Sequence, residues 1–249
     1  MTVLRVENVC RHFGGLKVLN NVAFTVDAGE KLALIGPNGA GKTTIINVIG
    51  GQLPVSSGRV YLDGEDITKL SPSRRLHRGL GRSFQINNLF FELSVLDNVL
   101  LALHGAERHH LQMFRRLEKR VEMVREAERM LDLVGLTEKR HEPLQVQSYG
   151  DQRLMELLCA FAGKPKMVLL DEPSAGLPTA EAAAFAGIIR KLVGDTTLLF
   201  CAHDMDLVFN LADSIMVLYF GEIIAKGNPK EISADPKVRE IYLGSDDSC

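Results

Sequence analysis

The sequence predicts an α/β fold, a phosphate-loop core with an N-terminal antiparallel β subdomain and an inserted α-helical subdomain. Three observations carry this expectation. First, the apolar run Lys31-Leu32-Ala33-Leu34-Ile35 feeds the glycine-rich segment Gly36-Pro37-Asn38-Gly39-Ala40-Gly41-Lys42-Thr43-Thr44. The stretch Thr44-Ile45-Ile46-Asn47-Val48-Ile49 leaves it, giving the order strand, loop, helix. Second, short segments of alternating polarity bounded by turn residues flank this unit on both sides. Third, residues 96–134 are rich in Leu, Arg and Glu at helical spacing and carry no strand signal.

In chain order, Leu4-Arg5-Val6-Glu7-Asn8-Val9 alternates in polarity. Val22-Ala23-Phe24-Thr25-Val26 ends in the turn Asp27-Ala28-Gly29-Glu30, and residues 57–65 supply a further short strand. Runs 167–170, 197–201 and 215–219 are apolar throughout, as expected of core strands buried on both faces. Between the first two, residues 179–193 are alanine-rich and helix-permissive. Inside the helical middle, residues 115–132 alternate in charge sign, the pattern of a solvated helix face. Residues 136–147 form a polar connector holding Pro143. There is no internal repeat and no low-complexity segment.

A chain of 249 residues fits one large α/β domain or a core with one insertion. Its 46% apolar and 24% charged residues are ordinary for a globular protein. A net charge of −2 supplies no electrostatic argument for nucleic acid or an anionic membrane surface. No apolar run approaches the ~20 residues that span a bilayer, and the opening residues do not read as a signal peptide. Cys10, Cys159, Cys201 and Cys249 are widely spaced, which reads as small buried hydrophobes and a stray terminal thiol. A cytoplasmic chain is expected.

The glycine-rich segment matches G-x-x-x-x-G-K-[ST], with Gly36, Gly41, Lys42 and Thr43 at the four specified positions. Such glycines let successive N–H groups converge on phosphate oxygens. Lys42 would neutralise the β and γ phosphates, the Thr43 hydroxyl would ligate Mg²⁺, and the helix behind them would aim its positive end at the anion. A second element follows. Met167-Val168-Leu169-Leu170-Asp171-Glu172-Pro173 is an apolar strand ending in two acids. Asp171 would hold the Mg²⁺ water shell, and Glu172 would orient or deprotonate the water attacking the γ-phosphate. Ser148-Tyr149-Gly150 opens a helical stretch and offers a hydroxyl with free N–H groups, a further anion cradle. Taken alone it would be an ordinary helix cap. Its spacing to Asp171 points to chemistry instead.

The ordered set resembles the ATP-binding cassette (ABC) ATPases along essentially the whole chain. It comprises residues 36–44, Gln85 in Ser83-Phe84-Gln85, Ser148-Tyr149-Gly150, Leu170-Asp171-Glu172-Pro173, Ser174-Ala175-Gly176-Leu177 and His203 in Ala202-His203-Asp204. The resemblance implies a RecA-like core (1–85 and 165–249) and a helical subdomain (86–164), together one ABC ATPase domain. It implies ATP and Mg²⁺ as ligands, with Gly36, Pro37, Asn38, Gly39, Ala40, Gly41, Lys42, Thr43 and Thr44 around the phosphates. Thr43, Gln85 and Asp171 would serve the metal. Glu172, His203, Lys42 and Gln85 would be catalytic. Ser148 and Gly150 would reach the γ-phosphate held by a second subunit in a head-to-tail homo- or heterodimer. Phe13 matches the aromatic on which adenine stacks, although a buried core phenylalanine is a competing reading.

Within the family, His12-Phe13-Gly14-Gly15-Leu16-Lys17, Arg82-Ser83-Phe84-Gln85, His203-Asp204-Met205-Asp206-Leu207-Val208 and the tail from Asp235 to Gly244 resemble the ATPases of branched-chain amino acid importers. That likeness implies two membrane permeases, a periplasmic solute-binding protein and a place on the cytoplasmic face of the membrane. Similar tails occur in the lipopolysaccharide-export ATPase, and soluble non-transport members exist, so both remain as alternatives. The chain departs from the family pattern at Gln147 (usually Leu), Asp151 (usually Gln or Glu) and Leu154 and Cys159 (often Arg). It departs again at Pro178, where Asp or Asn is usual and proline offers neither a side-chain acceptor nor an N–H.

Overall fold

The computed structural model describes residues 1–83, 89–107, 121–177 and 179–243. Strand β1 (Thr2–Phe13) folds back on β2 (Leu16–Asp27), and after β3 (Lys31–Ile35) the phosphate-loop segment leads into α1 (Lys42–Gly50). Strands β4 (Ser57–Leu62) and β5 (Glu65–Asp66), helix α2 (Pro72–Leu76) and strand β6 (Leu80–Arg82) follow. The helical middle contributes α3 (Val95–Ala106), α4 (Val121–Leu133) and α5 (Tyr149–Ala160). The chain then alternates through β7 (Met167–Asp171), α6 (Thr179–Val193), β8 (Thr197–Cys201), α7 (Met205–Leu211) and β9 (Ser214–Tyr219). It closes with β10 (Glu222–Gly227), α8 (Pro229–Ala234) and α9 (Pro236–Leu243).

Among the described residues these strands form two sheets. One is four-stranded and antiparallel in the order β2-β1-β4-β5. The other is six-stranded in the order β10-β9-β3-β8-β7-β6. In the larger sheet β9, β3, β8, β7 and β6 run parallel and only β10 runs antiparallel. The central strands β3, β7 and β8 are apolar and buried because helices or the second sheet cover both faces. Their parallel register aligns their C-terminal ends, where ligands of open α/β sheets bind.

Among the described residues, three apolar clusters pack the molecule. One lies between the antiparallel sheet, α1 and one face of the large sheet, around Leu4, Leu19, Ile46 and Leu199. A second covers the opposite face with α6 and α7, around Ile35, Phe185, Ile189 and Phe200. The third joins α3, α4 and α5 through Val99, Leu131 and Leu158. Helix α5 serves two clusters, Leu157 facing the sheet and Met155 and Leu158 facing the helices. The expected fold class is therefore present. The short strand β6 and the hairpin partner β10 escape sequence reading, since Leu80-Gly81-Arg82 carries no pattern of its own. Of the cysteines, Cys201 is buried and Cys10 and Cys159 are partly buried, while Cys249 lies outside the described residues.

Candidate nucleotide site

Residue types and topology converge on the C-terminal ends of β3, β7 and β8. The loop after β3 turns sharply, with Gly41 as the N-cap of α1 at φ 106°. A Cβ there would stand 2.9 Å from the Val18 carbonyl and 3.0 Å from Leu19, so both backbone conformation and close approach require glycine. Lys42 is 6% exposed, and its Nζ donates to the Gly36 carbonyl (2.7 Å) and the Pro37 carbonyl (3.0 Å). The loop thus folds around its own cation. Burial pushes the Lys42 ammonium below its ordinary range, against the opposing pull of Asp171 and Glu172. Gly36, Ala40 and Gly41 are buried, whereas Asn38, Gly39 and Thr43 are exposed and Pro37 and Thr44 are half-buried.

The two acids at the end of β7 diverge. Asp171 Oδ1 accepts from the Thr43 hydroxyl at 3.4 Å. Glu172 Oε1 lies 2.7 Å from His203 Nε2. The divergence has a backbone cause: Glu172 adopts φ 49°, which breaks the extended run, while its N–H donates to the Cys201 carbonyl at 3.0 Å. Burial pushes the Asp171 carboxyl above the usual carboxylate range and Glu172 adds to that, while Arg82, Thr43 and Lys42 pull it down. His203 follows β8 and precedes α7. The Asp204 side chain caps that helix by accepting from Asp206 N (2.9 Å) and Leu207 N (3.2 Å), which stiffens the backbone carrying His203.

Phe13 ends β1 and is 44% exposed, with the Arg11 guanidinium 4.5 Å over its ring. It pairs with Leu16 across the hairpin whose next residues lie against Gly41. The aromatic is a surface group rather than a core one. Ser148 is the N-cap of α5 and Gly150 lies in its first turn. The hydrogen bonds of Ser148 stay within this turn: Oγ donates to Asp151 Oδ2 (2.8 Å) and accepts from Asp151 N (3.2 Å). So one chain brings Lys42, Thr43, Asp171, Glu172 and His203 together, while Ser148 and Gly150 sit on a separate element. Gln85 and Pro178 lie outside the described residues.

Arg82 is a member of this neighbourhood that sequence reading left without a role. From β6 it donates to the Ile46 carbonyl (3.1 Å), Asn47 Oδ1 (2.5 Å) and Gln52 Oε1 (2.5 Å), tying the phosphate-loop helix to the sheet edge next to Asp171. Gln147, which replaces the family's leucine, is buried and donates to Glu142 Oε2 (2.8 Å) and the Pro143 carbonyl (3.3 Å). The polar replacement is therefore paid in hydrogen bonds rather than left unsatisfied.

Magnesium takes oxygen ligands, commonly one or two from protein with the rest from water and phosphate. The Thr43 hydroxyl and the Asp171 carboxylate, adjacent at the loop, fit that demand. Among the described residues no group of three or more His, Cys, Asp and Glu side chains forms a cage.

Comparison with known proteins gives the family and agrees with the fold. The "ABC transporter" family model matches residues 19–175, and a model described as "Branched-chain amino acid ATP-binding cassette transporter" matches residues 222–248. The chain belongs to the ATP-binding cassette family of transporter ATPases. More particularly, it is 36% identical to the probable branched-chain amino acid transport ATP-binding protein LivG of Methanocaldococcus jannaschii, over 98% of each chain. It is 35% identical to the high-affinity branched-chain amino acid transport ATP-binding protein BraF of Pseudomonas aeruginosa, over 97% of this chain and 98% of that one. Among solved structures, an ATP-binding cassette of an ABC transporter in its ADP conformation superposes with TM-score 0.86 at 35% identity, covering 98% of this chain and 99% of that one. A nucleotide-free ATP-binding cassette gives TM-score 0.85 at 35% identity, with 97% and 99% covered.

Proposed function

We propose that this chain is the ATP-hydrolysing subunit of an importer of branched-chain or related amino acids. One observation carries the reading: the Glu172–His203 pair at 2.7 Å stands beside the Thr43–Asp171 pair at the end of the same strand. The full-length likeness to branched-chain amino acid transport subunits favours it over lipid export or a soluble role.

In this mechanism residues 36–44 wrap the triphosphate, and Lys42 exchanges its two loop carbonyls for phosphate oxygens. Adenine stacks on Phe13. Thr43 and Asp171, with Gln85, hold Mg²⁺, which neutralises phosphate charge when bound. Glu172 accepts the proton of the attacking water, and the His203 Nε2–H donates to Glu172 Oε1, holding the carboxylate in place. Because the transferred phosphoryl needs little covalent help, positioning and charge neutralisation supply most of the catalysis.

Ser148 and Gly150 close on the nucleotide of a second ATPase chain, so two copies or two related chains pair head to tail. ATP then closes the dimer and hydrolysis reopens it. Two permeases span the membrane above, and a periplasmic binding protein delivers the solute; no nucleic acid takes part. Among the described residues no helix is long and apolar enough to cross a membrane, which suits a chain seated on the cytoplasmic face beneath such permeases. In this reading 1–85 and 165–249 form the nucleotide core and 86–164 the helical subdomain.

A groove of about 460 Å³ between α2, β6, α3 and α5 offers a seat for a permease segment, lined by Leu76, Leu80, Phe90, Leu101, Ala102 and Cys159. On the α5 wall Cys159 stands where the family often has arginine, beside Glu156.

The decisive experiment replaces Glu172 by Gln. Turnover is expected to fall by roughly 10²-fold or more while ATP still binds and an ATP-bound dimer accumulates in gel filtration. Normal turnover in Glu172→Gln would remove Glu172 from its role.

A further inference from the structure

Tyr149, between Ser148 and Gly150, reaches back to a loop of its own chain. Its hydroxyl donates to the Ala175 carbonyl at 3.1 Å, in the loop that follows β7. Arg153, one turn along α5, donates from Nε to the Tyr149 hydroxyl (3.0 Å) and from Nη2 to the same Ala175 carbonyl (3.3 Å). Its third contact is an ion pair with Glu156 at 2.7 Å, and the side chains of Arg153 and Glu156 are only 13% and 6% exposed. The guanidinium is thus a braced fork, and its carbon also sits 5.3 Å from the Tyr149 ring centroid.

The loop is shaped to receive this contact. Gly176 has φ 80°, and a Cβ there would come within 2.8 Å of the Tyr149 hydroxyl. A side chain at 176 would push the tyrosine away. On its other side the loop is closed on Glu172, whose carbonyl accepts from Ala175 N at 3.0 Å. One hydrogen-bonded path therefore runs from the backbone of Glu172 through Ala175 to Tyr149 and Arg153, and Tyr149 is the chain neighbour of Ser148 and Gly150.

Resting on the ATPase reading above, we propose that Tyr149, braced by Arg153, is a positioning residue that locks loop 172–177 to the start of α5. The base that serves this chain's own nucleotide and the cradle this chain presents to its partner's nucleotide then move as one body. Information about one site reaches the other through a tie inside a single chain. A rigid contact of this kind transmits displacement because packed, hydrogen-bonded elements shift together rather than deform.

Tyr149→Phe removes only the hydroxyl, and Arg153→Lys keeps the charge beside Glu156 while losing the fork. In the full-length chain, hydrogen exchange at amides 174–177 is expected to quicken in both variants. ATP turnover at saturation is expected to fall roughly 3- to 10-fold, the worth of one hydrogen bond, while KM for ATP stays within about twofold. Unchanged exchange together with unchanged turnover in both variants would overturn the tie. So would an equal loss in KM, which would mean a direct nucleotide contact. Wild-type chain that exchanges as described but hydrolyses no ATP would defeat the ATPase reading and leave the tie itself standing.

Discussion

The end of β7 concentrates the site's cost in one residue. Glu172 holds a positive φ of 49° without being glycine, asparagine or aspartate, a conformation worth about 1 kcal/mol of strain. Its neighbours impose it, because the N–H is bound to Cys201 and the side chain to His203. Thermal melts should therefore separate two inactive variants. Glu172→Gly is expected to melt above Glu172→Gln, since only the first relieves the backbone, and the reverse order would show that no strain is stored there. Lys42 and Asp171 carry the same lesson in electrostatic form. Both are moved by burial toward their neutral states, a cost that a phosphate and its cation would remove. Motif and spacing pointed to Lys42, Thr43, Asp171 and Glu172, and the family resemblance pointed to His203; the structure brings all five together. The positive φ at 172 was not legible in the sequence, because it arises from contacts with β8 and not from local sequence.

At the scale of elements, buried or half-buried charges fasten ends. Arg75 is 2% exposed and donates to the carbonyl of Ile49 at the C-terminal end of α1 and to that of Val48, which also accepts from Gly51 N. It donates further to the carbonyls of Thr68 and Leu70. Arg75→Met should cost about 2 kcal/mol or more in urea unfolding, because it orphans buried carbonyls behind the phosphate loop. Asp151 fastens the start of α5. Burial pushes its carboxyl up, but Lys139 at 2.6 Å and the Ser148 hydroxyl at 2.8 Å outweigh that and hold it below the usual carboxylate range. A depressed acid adds stability that is present above its unfolded pKa of about 4 and is lost as pH falls through the folded value. Asp151→Asn should thus lose about 1 kcal/mol at neutral pH, discounted for the half-exposed lysine, and the gap to wild type should close in acid. A constant gap across pH would exclude this ion pair as its source.

For the whole molecule, the architecture separates gripping nucleotide from passing on its effect. The proposed catalytic set lies at the C-terminal ends of the interior strands β3, β7 and β8, whereas the groove lies between that sheet's β6 edge and the helical part. Ala102→Arg, which fills the groove, should abolish co-purification with a membrane permease and leave ATP affinity of the isolated chain within about twofold. Loss of nucleotide binding in that variant would mean the groove supports the loop rather than a partner. Coupling between nucleotide sites is a property of this scale too. In the tie proposed above, the Tyr149–Ala175 contact is the route for that coupling.

Composition, the apolar runs and the ordered motifs were enough to determine the α/β class, the phosphate loop and the membership of an ATPase family. These features are local: a strand's burial is written in its apolar run, and a phosphate loop in the glycines its turns demand. The tertiary structure alone decided which acid serves which partner, because Asp171 and Glu172 are neighbours in sequence and part only where β8 and α1 pull on them. It also decided that Ser148 and Gly150 stand on a different element from Lys42, and that Tyr149 reaches back to Ala175. Those contacts join residues 26 to 128 positions apart, and a long-range pairing is chosen by the packing of whole elements, which no stretch of sequence carries by itself.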